Sequence, residues 1–149
     1  MGNKIILSLI ILIAVGGIIL MKSPDKSASE VLDQGDPTEV ISRNGLHWHS
    51  TLLIYVKGEK MEIPANIGLG AVHNPIHTHV EDAPAGIIHL EFSGLVRNSN
   101  TRLDEFFKAW NKTIRTFSEN VTMTVNGEPS TAYENYYMKD GDVIELRYE

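Results

Sequence analysis

Leu46-His-Trp-His-Ser-Thr-Leu-Leu-Ile-Tyr-Val56 is the stretch on which the reading of this chain turns. Trp48, Leu52, Ile54 and Val56 recur at period two, while His47, His49 and Thr51 take alternate positions. Successive side chains of a strand point to opposite faces, so the pattern predicts one strand with an apolar face and a histidine face. Lys57-Gly-Glu-Lys60 offers a tight turn, and Met61 to Ile67 is expected to return as the second strand of a hairpin. Pro64, which has no N–H to give a ladder, marks that strand as an edge or a bulge.

A second alternating run extends from Gly86 to Phe92, with Ile88, Leu90 and Phe92 on one face and Ile87, His89 and Glu91 on the other. Between the two runs, Gly68 to Gly86 has no sustained periodicity and reads as a long ordered loop that carries His73, His77 and His79. Downstream, Leu103, Phe106, Phe107 and Trp110 fall at i, i+3, i+4 and i+7, the stripe of a helix with one buried side. Asp104 and Glu105 at its start and Lys108 and Lys112 at its end suit the helix dipole. Val121 to Val125, an Asn126-Gly127 turn and a last strand from Val143 to Tyr148 complete the chain. Hairpin, strand, helix and two further strands make an α+β fold: a mixed sheet of about five strands with one helix packed on one face.

Outward of this domain, Ile5 to Met21 carries no charge and is closed by Lys4 and Lys22. As a helix it would be about 25 Å long, at the short limit of a bilayer span. Residues 1–22 are therefore expected to form a single-pass transmembrane anchor, although Ser27-Ala-Ser29 leaves a cleavable signal peptide as the alternative. Residues 23–44, mixed in Ser, Asp, Gln, Gly and Pro, read as a linker, and 45–149 as the domain outside the cytoplasm.

Composition narrows the function. Hydrophobic residues at 42% and charged residues at 21% are enough for a packed core, which excludes wholesale disorder. A net charge of −6 leaves no basic stripe for phosphate, so nucleic acid is not an expected partner. The absence of cysteine excludes disulfides, thiolate zinc sites and iron–sulfur clusters.

All six histidines lie between His47 and His89. They come as His47-Trp-His49, His73, His77-Thr-His79 and His89-Leu-Glu91, and an H-x-H pair in a strand puts both imidazoles on one face. If the two apolar faces pack under the helix, His47, His49, His89 and Glu91 must share the far face. Neighbouring strands would then bring them close enough for one ion, and the loop would add His77 and His79. The expected metal ligands are His47, His49, His77, His79 and His89, with Glu81, Asp82 or Glu91 fixing their tautomers. Imidazole-rich sites suit copper or zinc, and the lack of a carboxylate cluster disfavours calcium and magnesium.

The run from His47-Trp-His49 through Ile63-Pro-Ala-Asn-Ile-Gly68, His77-Thr-His79, Gly86-Ile-Ile-His-Leu-Glu91 and Leu103-Asp-Glu-Phe-Phe-Lys-Ala-Trp110 resembles a group of uncharacterised prokaryotic proteins that are membrane-anchored or secreted. The resemblance implies that these histidines act as one unit. In that group an Asp directly follows the second H-x-H pair, whereas here Val80 precedes Glu81 and Asp82. Met138-Lys-Asp-Gly-Asp-Val-Ile-Glu-Leu146 resembles the last turn and strand of β-grasp domains. Three functions follow: an extracytoplasmic copper- or zinc-binding module; a metal-dependent hydrolase or oxidoreductase with three histidines, a bound water and Glu91 as general base; or a structural ectodomain without metal.

Overall fold

The computed structural model describes residues 35–149. The expected anchor at 1–22 lies outside the described residues, and among those residues no helix is long and apolar enough to cross a membrane. Among the described residues nine strands occur, in the order β1 (Val40–Ser42), β2 (Leu46–Val56), β3 (Glu59–Met61), β4 (Ile76–His77), β5 (Ile87–Phe92), β6 (Val96–Arg97), β7 (Val121–Val125), β8 (Glu128–Ser130) and β9 (Val143–Tyr148). One α-helix of the described residues, α1 (Leu103–Ala109), stands between β6 and β7.

The architecture is α+β, as expected, but the sheet is larger than the five strands read from periodicity. Seven strands form one mixed sheet in the order β4-β5-β2-β9-β7-β8, with β3 paired to β2, and β1 and β6 make a separate two-stranded ribbon. The long strand β2 organises the sheet. Its first half pairs antiparallel with β5. Its second half takes β9 in parallel along the opposite edge and β3 in an antiparallel hairpin. That hairpin turns at Lys57 and Gly58, both with positive φ, the backbone of the two-residue turn that suits the twist of paired strands. β3 stops at Met61, short of the expected Ile67, ahead of Pro64.

The period-two pattern places the core. Leu52, Ile54, Ile88, Leu90, Ile144 and Leu146 are each no more than 1% exposed, and they pack with Leu103, Phe106 and Phe107 of α1. Burying a side chain of this size contributes about 1.5–3 kcal/mol, so this layer dominates the stability of the sheet. α1 ends sooner than its apolar stripe suggests: Asn111 adopts a positive φ, and the Lys112 N–H reaches back to the Phe107 carbonyl at 2.8 Å. Trp110 thus sits at the helix end, half-buried against Phe106, Phe107 and Phe117.

The end of the segment read as a linker is structured. β1 pairs with β6, and the Asn98 and Ser99 N–H groups donate to the Glu39 and Pro37 carbonyls.

Candidate metal centre

Three adjacent strands carry the histidines. In the β2–β5 ladder His49 stands opposite His89 and His47 opposite Glu91. In the β4–β5 ladder His77 stands opposite the same His89. Side chains opposite one another in a ladder share a face, so His49, His89 and His77 form one row across the sheet, on the side away from α1. The imidazoles of His77 and His89 stack with centroids 5.5 Å apart, and His49 meets the edge of His89 at 4.6 Å.

His79 lies beyond β4, where the chain turns back, and its ring closes on His89 at 4.5 Å. Thr78 between the two histidines is fully buried. Its hydroxyl donates to the Pro64 carbonyl at 2.8 Å and accepts from the Ile67 N–H at 3.1 Å, which clamps the His77-Thr-His79 segment to the loop after β3. Gly68 lets that clamp form: its φ is +75°, and a Cβ there would run into the Ile76 carbonyl and the His77 side chain.

Two of the imidazoles have one nitrogen held by an oxygen of the protein, which fixes the lone pair on the other. His77 Nδ1 lies 3.1 Å from the Asn74 carbonyl. A carbonyl only accepts, so Nδ1 carries the proton and neutral His77 presents a lone pair at Nε2. His89 Nε2 lies 2.9 Å from Asp82 Oδ2, an acceptor when ionised, which leaves the lone pair on Nδ1. That Nδ1 is buried and makes no hydrogen bond within the protein. An unsatisfied buried acceptor costs about 1–3 kcal/mol, and a metal ion would satisfy it. The expected tautomer-fixing role thus falls to Asp82, despite the intervening Val80; Glu81 is exposed and takes no part in the histidine contacts.

The spacing of the donors suits a metal. His77 Nε2 and His79 Nε2 are 3.1 Å apart, and His47 Nε2 and His49 Nε2 are 3.2 Å apart. Two nitrogens on one tetrahedral ion at the usual zinc–imidazole distance are separated by about 3.3 Å. Glu91 lies between the pairs, Oε1 at 3.2 Å from His47 Nε2 and Oε2 at 4.0 Å from His77 Nε2.

All five histidines expected as ligands are brought to this face, as two overlapping sets. His77, His79, His89 and Glu91 form one set and His47, His49 and His89 the other, the donor atoms within each lying within 4.8 Å of one another. His73 belongs to neither and packs its ring edge-on against His77 at 4.5 Å. The burial of the two sets differs: the His77 side chain is 0% exposed and the His47 side chain 62%. Burial holds the His77 imidazole below the ordinary histidine pKa, which keeps it neutral and ready to bind at pH 7.

Sequence reading missed two supports of the site. One is the Asn74 carbonyl, a backbone group that no side-chain pattern announces. The other is the turn before β9, where Asp140 Oδ1 accepts from the His49 N–H at 2.9 Å and the Gly141 N–H donates to the His49 carbonyl at 2.8 Å. The Asp140-Gly-Asp142 turn was legible as a turn; its docking onto β2 follows only from the parallel pairing of β9. In comparisons with known proteins, no family model, curated protein or solved structure matches the chain.

Proposed function

We propose that this chain is a membrane-anchored, extracytoplasmic protein that binds copper or zinc through its clustered histidines. The observation that carries the reading is the His89 imidazole: Asp82 holds Nε2, while Nδ1 is buried, without a hydrogen bond and surrounded by other imidazoles. Second-sphere carboxylates of this kind orient histidine ligands and raise their basicity. His77, His79, His89 and Glu91 supply the four donors of a closed tetrahedral site, and imidazole with carboxylate is a donor set that copper and zinc both accept.

Glu91, the base that an enzyme would use, is engaged by His47 and grouped with the ligand atoms, which favours binding over catalysis. A structural ectodomain would give no reason to gather five imidazoles and a carboxylate on one face. The anchor rests on the uncharged run from Ile5 to Met21, and a span that begins at residue 5 behaves like a signal anchor, which supports a domain outside the cytoplasm. The parallel pairing of the long strand β2 with the last strand β9 is compatible with a β-grasp-like sheet.

The test is metal content of the full chain, purified in detergent, loaded with zinc or copper and passed over a metal-free resin. At least one ion per chain is expected to remain, with less metal in the His77→Ala/His79→Ala variant. A wild-type chain that emerges without metal would defeat the reading. Localisation is tested separately, since an anchored chain stays in the membrane pellet through alkaline extraction and a chain found in the supernatant contradicts the anchor.

A further inference from the structure

We infer that the histidine face holds two metal ions bridged by Glu91. The inference rests on the binding function just proposed and deepens it. A tetrahedral ion uses four donors, and His77, His79, His89 and Glu91 provide them. That leaves His47 and His49, whose Nε2 atoms are already 3.2 Å apart, the edge that two imidazoles span on a single ion. The two histidine pairs flank β5 on either side, one on β2 and one at and beyond β4. Neighbouring strands are about 4.8 Å apart, so the pairs are two strand spacings from each other at the backbone and meet only over the residues of β5.

Two residues of β5 point up between the pairs, and they differ in what they can share. His89 has a single free nitrogen, because Asp82 occupies the other, so it serves one ion. Glu91 has two oxygens with different neighbours: Oε1 lies 3.2 Å from His47 Nε2 and 3.8 Å from His89 Nδ1, and Oε2 lies 4.0 Å from His77 Nε2. A carboxylate placed in this way gives one oxygen to each ion, and two ions bridged so are typically about 3.5–4 Å apart. The first ion sits in the buried set. The second takes His47 and His49, and in place of the His89 nitrogen grouped with that pair it takes Glu91 Oε1, 3.2 Å from His47 Nε2, with solvent at its remaining position, since the His47 side chain is 62% exposed. The transition-metal class is unchanged: a divalent ion that accepts imidazole and carboxylate together.

The experiment uses the full chain in detergent, stripped with chelator and titrated with zinc, with bound metal counted by elemental analysis. Wild type is expected to bind two zinc ions per chain. His47→Ala/His49→Ala and Glu91→Ala alter side chains that reach solvent, and each is expected to bind one ion with an unchanged circular dichroism spectrum. Loading with copper(II) instead should give the electron paramagnetic resonance signature of two coupled ions. A wild-type count of one would overturn this inference and leave the binding function standing; a count of zero would overturn both. Two ions retained in Glu91→Ala, or two magnetically isolated copper ions in wild type, would overturn the bridge.

Discussion

His49 of β2 and His89 of β5 stand directly opposite each other in the antiparallel ladder, their rings 4.6 Å apart. That register sets the geometry of the site. A slip by one residue would carry each histidine of the slipped strand to the α1 side and put core residues in its place. The core and the histidine face are therefore specified by the same alternation.

The support under His89 is open to direct test. Asp82→Asn keeps the size of the side chain but removes the carboxylate that fixes the His89 tautomer. Zinc affinity is expected to fall about 10–100-fold with little change in the number of ions bound, as for other second-sphere partners. Isothermal titration of variant and wild type measures this, and equal affinities would show that Asp82 does not orient the ring.

Metal should stabilise the fold, because the ligands come from β2, β5 and the segment from β4 onward, and the unfolded chain offers no such site. At a free zinc concentration 100 times the dissociation constant, the gain is about 2.7 kcal/mol. Thermal unfolding with and without chelator reads it, and identical midpoints would contradict the account.

Without metal, stability should fall on the acid side of neutrality. The folded-state pKa of His77 is lowered by burial, below the value of about 6.5 for an unfolded chain. Between these two values the unfolded state binds the proton and the folded state does not, so stability decreases as pH drops from about 6.5 and levels off below the folded pKa. Urea denaturation of the chelator-treated chain between pH 5 and 8 checks the sign. His77→Gln should flatten the profile.

These predictions rest on features of unequal legibility. The faces of β2 and β5 were readable because each strand is long enough for alternation to show, and the shared histidine face followed from the shared core. β4 was not readable: Ile76 and His77 are two residues, too few for a period, and they pair with β5 only because the Thr78 clamp and Gly68 hold the loop in place. The reach of Asp82 to His89 depends in the same way on the 3-10 turn at Ala83–Ala85, which ends in Gly86 at a φ of +83°. β1 was hidden by composition, since its partner β6 is two residues long and neither strand alternates.

In the turn that docks on His49, Asp142 ties the last strand to the rest of the domain. Its Oδ2 accepts from the Tyr136 hydroxyl at 2.7 Å and from the Lys139 N–H at 2.8 Å, and burial raises the Tyr136 pKa so that the phenol stays protonated. Tyr136→Phe removes one buried hydrogen bond to a carboxylate and should cost about 1.5–3 kcal/mol. Chemical denaturation measures the loss, and an unchanged midpoint would show that this hydrogen bond does not hold the turn.

The central claim is that imidazoles from β2, β5 and the segment beginning at β4 coordinate the same metal centre. X-ray absorption at the zinc edge of the loaded full chain tests it most directly. The account predicts a nitrogen and oxygen shell at about 2.0–2.1 Å with the multiple-scattering pattern of several imidazoles. A bound zinc surrounded by oxygen alone, with no imidazole pattern, would contradict it.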